Sequence, residues 1–244
     1  MYTTKLKNFD LKSIAESGQC FRMNMTGEKS ANLIAFNRSL NITEDEDKSF
    51  TFDCDEDDFN NIWKHYFDLE TDYSSFIKAI PESDRFLTEA AKDGDGIRIL
   101  NQDHFETLIS FIISQRKNIP AIKACVESLS RKYGEKLSSG AYAFPTPEAL
   151  ANASVDELNS CSLGYRTKYV KNTACAVARG DVDLDVLCKL NDEDLHKALL
   201  EFNGVGKKVA NCVMLFSYHR IAAFPVDVWI QRVIDEKYNG SFPL

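Results

Sequence analysis

The first third of the chain alternates apolar and polar positions in steps of two. Ser49-Phe50-Thr51-Phe52-Asp53-Cys54 does so, and so does Leu40-Asn41-Ile42, the period of a strand with one face in a core. Asn32-Leu33-Ile34-Ala35-Phe36 adds a short apolar run. Turn-forming clusters at Thr26-Gly27-Glu28 and Thr43-Glu44-Asp45-Glu46-Asp47 separate these runs as hairpin connections do. From about Asp57 the period lengthens. Phe59, Ile62, Trp63 and Phe67 recur at helical spacing, as do Phe105, Leu108, Ile109, Ile112 and Ile113, then Val126, Leu129 and Tyr133. Thr146-Pro147 opens a helix with proline in its first turn. Ser154 followed by Glu157 is a capping box, and a further helix begins near Asn191-Asp192. The pattern predicts an α+β fold: an antiparallel sheet domain with a flanking helix over residues 1–80, then a larger helical body over 81–244.

Composition changes this picture little. With 244 residues, 44% of them hydrophobic and 27% charged, the chain can bury a sizeable core. The first residues, Met1 to Asn8, hold no apolar stretch, so no signal peptide is expected. No segment approaches the roughly 20 apolar residues of a membrane span. A soluble protein of the cytoplasm or nucleus, not secreted, is the expectation. The seven cysteines (Cys20, Cys54, Cys125, Cys161, Cys175, Cys188, Cys212) are scattered without a Cys-x-x-Cys pair. That usage suits reduced, mostly buried thiols and gives no metal-ligand spacing.

The net charge of −8 argues at first against an anionic partner, but it is unevenly spread. Residues 1–80 carry −6, residues 112–136 carry +4, and segments 165–179 and 203–220 hold basic side chains with no acid. If these basic segments meet, they form one cationic face on an acidic body. Interspersed surface charge of no special purpose is the alternative.

The most informative stretch is Phe202-Asn203-Gly204-Val205-Gly206-Lys207-Lys208-Val209. One helix ends near Phe202, two glycines make a tight hairpin, and a new helix opens near Lys207. Uncovered amides at such a helix start suit a phosphate, although glycines also serve ordinary interhelical turns. Lys208 sits in the first turn, where the helix dipole disfavours its charged form. Lys207 and Arg220 add to that effect if they are near, and a neutral amine is a nucleophile. Nineteen residues after Lys208 comes Phe224-Pro225-Val226-Asp227-Val228-Trp229. The apolar flanks of Asp227 predict partial burial. It reads either as a helix cap alone or as a carboxylate held anionic by amides where positive charge develops.

Gly-Val-Gly-x-Lys followed by Pro-Val-Asp resembles the signature of the helix-hairpin-helix (HhH-GPD) glycosylases, the hairpin covering about residues 190–218. The lysine points to the bifunctional branch. Three further blocks resemble the 8-oxoguanine DNA glycosylase group within it. They are Ser17-Gly18-Gln19-Cys20-Phe21-Arg22, then Gly96-Ile97-Arg98-Ile99-Leu100 through Ser110-Phe111-Ile112, and Leu163-Gly164-Tyr165-Arg166. The resemblance implies an enzyme with N-glycosylase and abasic-site lyase activity on double-stranded DNA containing 8-oxoguanine. It also implies a monomer with no cofactor and no obligate protein partner.

Carried over position by position, Lys208 is the amine that attacks the sugar and forms a Schiff base, and Asp227 stabilises the oxocarbenium-like sugar. The Gly18 carbonyl accepts N7–H, a donor that 8-oxoguanine has and guanine lacks. Cys212 lies against the flipped base or is simply a small buried thiol. Tyr165 wedges into the stack, and Arg166 and Asn118 contact the orphaned cytosine. Asn203, Gly204, Val205, Gly206 and Lys207 hold phosphate. The resemblance is incomplete in two places. Ala121 stands where relatives carry a cytosine-reading arginine, which predicts relaxed opposite-base preference. The pocket residues that relatives draw from a final helix have no counterpart before Leu244. The alternatives are a glycosylase for another oxidised base and a non-catalytic DNA-binding module.

Overall fold

The computed structural model describes residues 1–241. The sheet has five antiparallel strands in the order β1-β5-β4-β3-β2. They are β1 (Tyr2–Lys5), β2 (Met23–Gly27), β3 (Ser30–Ala35), β4 (Arg38–Glu44) and β5 (Ser49–Phe52). The alternating runs account for β4 and β5, and the short apolar run for β3. Sequence periodicity passed over β1 and β2, a short edge strand and a strand ending in the glycine turn. The β3–β4 hairpin turns on Phe36 and Asn37, both with positive φ, the two-residue geometry that matches strand twist.

One face of the sheet is closed by α1 (Leu11–Glu16) and by a helical stretch made of α2 (Glu56–Asp58), a π-helical turn (Phe59–Trp63) and α3 (Lys64–Tyr66). Leu33, Leu40, Ile42 and Phe52 meet Ile14, Trp63 and Phe67 there, all almost fully buried. The helices α4 (Tyr73–Lys78) and α5 (Arg85–Asp93) bury no residue.

The helical body has its own core. Its centre is α6 (His104–Ser114), in which residues 105 and 107–113 are buried. Around it stand α7 (Ile119–Tyr133), α8 (Pro147–Asn152), α9 (Val155–Asn159), α10 (Thr167–Ala178), α11 (Leu184–Leu187), α12 (Asp192–Leu200) and α13 (Lys207–Phe216), followed by α14 (Val228–Lys237). The expected caps are present: Thr146 on α8, a complete Ser154/Glu157 box on α9 and Asn191 on α12.

The two cores meet along residues 17–22 and 96–102. Gln19 is 2% exposed; its Nε2 donates to the Arg98 carbonyl at 2.9 Å and its Oε1 accepts from the Leu100 amide at 2.8 Å. Cys20 belongs to the sheet core and Phe21 to the helical one. The Ser17–Arg22 block therefore carries the chain from one core into the other. Leu100 packs with the sheet core, so the first unit's packing reaches beyond residue 80.

Candidate active site

The helix α13 presents Lys208 and Cys212 one turn apart. Lys208 is partly buried and Cys212 only 2% exposed. The Lys208 Nζ lies 5.2 Å from the centre of the Phe111 ring, with the Cys212 thiol one turn along the same helix. Burial pushes that thiol up, while the neighbouring Lys208 pulls it down. Phe111 also packs edge-on against Phe21 at 5.4 Å and stacks on Phe216 at 5.6 Å. A row of rings thus joins the Ser17–Arg22 block to the lysine.

The α12–α13 hairpin explains why Lys208 begins a helix where it does. Gly204 has φ +83°, and a Cβ there would come within 2.4 Å of the Tyr169 ring, so both backbone and space demand glycine. Gly206 caps α13 without any side-chain bond, leaving first-turn amides open. Lys207 and Asn203 are exposed beside them, the latter accepting from Asn172 at 3.3 Å.

Asp227 caps α14: its Oδ1 accepts from the Trp229 and Ile230 amides at 2.9 Å each. It is exposed rather than partly buried. The reason lies in its apolar flanks, which are open themselves: Val226 is 37% exposed, Val228 73% and Trp229 66%. They form a wall of a cleft instead of a core. That cleft, about 640 Å³, is lined by Lys208 and Asp227 together with Ser114, Gln115, Arg116 and Lys117. The Asn211 Nδ2 donates to the Phe224 carbonyl at 2.9 Å. Asn211 is three residues past Lys208 on the same helix face, so one side chain ties the Asp227 loop to the lysine's helix.

Gln115 is the other residue sequence reasoning passed over. Its Nε2 donates to the Ile112 and Gly204 carbonyls at 2.9 Å each, and its own carbonyl accepts from Arg166 Nε at 2.9 Å and from Nη2. The glycine hairpin, the cleft floor and the Tyr165 turn are thereby locked into one unit. A glutamine in a polar run carries no periodic signal for such a role; only the fold shows it.

Tyr165 is 53% exposed at the turn after Gly164. Arg166 is buried, with Nη1 on the Leu163 carbonyl and the guanidinium 4.3 Å from the Tyr165 ring centre. Its donors face inward, a different disposition from the base contact expected of it. Asn118 is exposed and caps α7 by accepting from the Ala121 amide at 2.9 Å. Gly18 has φ +80°, and a Cβ there would sit 3.3 Å from Ile119 Cδ1. Neither Gly18 nor Cys212 lines the Lys208/Asp227 cleft.

Two expectations need correction. Arg220 lies beyond the far end of α13, giving Nη2 to the Cys188 and Leu190 carbonyls and pairing with Asp192. It is thus engaged a helix length away from Lys208. The basic face is also narrower than the segment charges suggest. Lys171 donates to the Ala151 and Ala153 carbonyls, Lys132 to the Glu157 carbonyl, and Arg131 and Arg179 pair with Glu127 and Asp181. Arg116, Lys117 and Lys208 line the cleft together, Lys117 with its Nζ on the Ser162 carbonyl at 3.1 Å.

The 8-oxoguanine DNA glycosylase N-terminal domain profile matches residues 1–108, and that of the HhH-GPD superfamily base excision DNA repair proteins matches residues 109–240. The chain belongs to the HhH-GPD superfamily. The solved structure of the Clostridium acetobutylicum 8-oxoguanine glycosylase/lyase, in complex with double-stranded DNA containing cytosine opposite 8-oxoG, superposes with a TM-score of 0.91. It is 38% identical, over 95% of this chain and 81% of its own. An N-glycosylase/DNA lyase of Saccharomyces cerevisiae is 32% identical over 198 residues, 75% of this chain and 48% of its own. A probable N-glycosylase/DNA lyase of Methanothermobacter thermautotrophicus is 28% identical over 200 residues, 72% of this chain and 63% of its own. The chain therefore spans about half to three fifths of the length of these curated relatives. Among the described residues no helix is long and apolar enough to cross a membrane.

Proposed function

We propose that this HhH-GPD protein is a bifunctional DNA glycosylase and abasic-site lyase that removes 8-oxoguanine from duplex DNA. The observation that carries the reading is one cleft with Lys208 and Asp227 on it, beside an uncapped helix start suited to phosphate. A damaged base cannot be reached inside the duplex, so the nucleotide turns out into the cleft. The Lys208 amine attacks the anomeric carbon as the bond from that carbon to the base breaks, and the base leaves with the bonding pair. Asp227, anionic and fixed by two amides, offsets the positive charge that builds on the sugar. The lysine–sugar adduct opens to a Schiff base. Loss of the proton on the adjacent carbon then expels the 3′ phosphate oxygen and cuts the strand.

In this reading Tyr165 fills the gap left in the stack, with Asn118 and Arg166 near the orphaned base. The Arg166 guanidinium acts there by holding the Tyr165 turn against Gln115. Residues 203–207 take a phosphate, the Gly18 carbonyl receives N7–H of the oxidised purine, and Cys212 lies behind Lys208. The lysine amine supplies the nucleophile, so no cofactor is required, and the chain acts as a monomer. Such an activity belongs where the genome is, the cytoplasm of a prokaryote or the nucleus of a eukaryote.

End-labelled duplexes carrying a single 8-oxoguanine, a single oxidised pyrimidine or no lesion test the substrate. Incision confined to 8-oxoguanine is expected. Incision at the pyrimidine alone would replace this substrate with another oxidised base, and tight binding without any incision would make the chain a binding module.

A further inference from the structure

The two ends of α6 differ in chemistry. Its last residue, Ser114, lines the Lys208/Asp227 cleft together with Arg116 and Lys117 just beyond. The other end lies eleven residues back, about 16 Å along the helix. A separate cavity of about 170 Å³ opens there, between the β3–β4 hairpin and the loop before α8. Phe36, Phe105, Phe144 and Pro145 supply its apolar lining, and Asp103 and Glu106 its carboxyls. Among the described residues no lysine or arginine lines it.

Helix capping accounts for Asp103 but not for Glu106. The two have the spacing of a capping box, in which the second side chain returns to the amide of the first residue. In α9 that box closes, with the Ser154 amide donating to Glu157 Oε2 at 2.8 Å. In α6 only half of it forms. Asp103 Oδ1 accepts from the Glu106 amide at 2.7 Å, yet among the described residues no donor reaches the Glu106 carboxyl. Burial raises that carboxyl to about 8 even with Arg22 nearby. Phe36 is equally unaccounted for by packing. It is 38% exposed at φ +50°, with its ring set edge-on to Tyr66 at 5.8 Å. Asparagine or glycine serves such a turn position at less cost than a bulky ring.

We propose that this cavity binds an alkylguanidinium group, with the Glu106 carboxylate as its counter-ion and Phe36 as its aromatic rim. Aromatic rings and a carboxyl together attract an organic cation, and the apolar lining covers its alkyl stem. A guanidinium is more weakly hydrated than an ammonium, so it gives up water to enter such a site more readily. Its forked donors match a carboxylate. Binding favours the ionised form of Glu106, whose proton passes to solvent. The other groups around Glu106 are Arg22 at the seam, Asp103 on its own helix, and Cys20 and Tyr66 of the sheet core. Burial raises the Cys20 thiol and the Tyr66 phenol from their usual values, away from neutral pH. The guanidinium belongs either to a free small molecule or to an arginine side chain of another protein.

Titration of the whole protein followed by amide chemical shifts in NMR tests this. Ethylguanidinium is one probe and an N-acetylated, C-amidated Gly-Arg-Gly peptide the other, with neutral propylurea as a control of similar shape. Saturable shifts are expected at the amides of residues 36–37 and 103–106, with a Kd on the order of 1 mM for the better probe. Tighter binding of ethylguanidinium assigns the site to a free small cation, and tighter binding of the peptide to an arginine of another protein. Affinity should rise about tenfold per pH unit up to about pH 8 and level off beyond it. Glu106→Gln, which keeps the neutral shape the fold favours, should weaken binding about tenfold and remove that pH dependence. Phe36→Asn, which suits the left-handed turn, should weaken it about fivefold. Equal shifts with propylurea, or no saturable shift with either cation, would overturn the site. So would shifts confined to the cleft residues 114–117 and 226–229, or unchanged affinity in Glu106→Gln. Strand incision reads the glycosylase separately, so that reading stands or falls on its own.

Discussion

Two cationic side chains set the seam between the cores apart from the cleft. Arg98, 2% exposed, gives its guanidinium to the carbonyls of Phe67, Asp68, Lys7, Asn8 and Thr71, and stacks 4.2 Å from the Tyr73 ring centre. Lys208 has one thiol and one aromatic face. A buried charge with every donor used is a fastener, because removing it strands its partners. A charge with few partners beside an open cleft has donors left for a ligand. The same contrast separates Asp68 from Asp227. Asp68 accepts from Thr71 and Tyr73 and faces His219 at 3.3 Å. Asp227 is exposed and, among the described residues, its carboxylate accepts from the two amides of its own helix.

Substitution should separate the two kinds of residue cleanly. Lys208→Gln is expected to lower strand incision by on the order of 10³-fold or more, with the denaturation midpoint almost unchanged. Arg98→Met should do the reverse, costing about 3 kcal/mol or more of stability by leaving carbonyls without donors. Equilibrium urea unfolding beside incision assays checks both, and a stability loss at Lys208 as large as that at Arg98 would erase the distinction. Asp227→Asn, which keeps an amide oxygen for the cap, should cost on the order of 10²–10³ in single-turnover rate.

Smaller effects sharpen the contrast. Asn211→Leu removes the bond that ties the Asp227 loop to α13. A drop of about tenfold in single-turnover rate, with duplex affinity kept, is expected when a positioning contact is lost without loss of binding. Gly204→Ala forces a side chain onto Tyr169 at a left-handed φ and should destabilise by about 1–3 kcal/mol; a neutral result in thermal unfolding would remove the steric account of the hairpin.

Stability should also depend on pH through Glu106. Burial raises its carboxyl from 4.5 to about 8, opposed by the nearby Arg22. The fold favours the neutral acid, so that contribution is complete below about pH 4.5, lost as pH rises toward 8, and flat beyond. Glu106→Gln should flatten the unfolding free energy over that window. The smallest effect concerns Ala121, near the start of α7. Without an arginine there, incision rates opposite C, T, G and A are expected within about tenfold of one another, and strict cytosine preference would contradict this.

The sequence was most readable where chemistry and backbone demand coincide. The glycine pair, Lys208 and Asp227 declare themselves by spacing because a hairpin, a helix start and a cap each restrict residue type. Strands β4 and β5 show through their alternation and β3 through its apolar run, whereas β1 is too short for a period to register and β2 runs into its own turn. Long-range side-chain bonds left no such trace. Gln115 reaches Gly204, and Asn211 reaches Phe224; nothing in local pattern marks either. Burial of Arg166 and exposure of Trp229 were hidden for the same reason, since both depend on which elements the fold brings alongside.

The central claim is that the Lys208 amine becomes covalently bonded to the sugar of an excised 8-oxoguanine nucleotide. Borohydride reduction during reaction with a duplex containing one 8-oxoguanine opposite cytosine, followed by peptide mapping of the adduct, tests it most directly. The account predicts a stable protein–DNA adduct at Lys208 that disappears in Lys208→Gln. An adduct at another residue, or unreduced base release with no adduct while Lys208→Gln remains fully active, would contradict it.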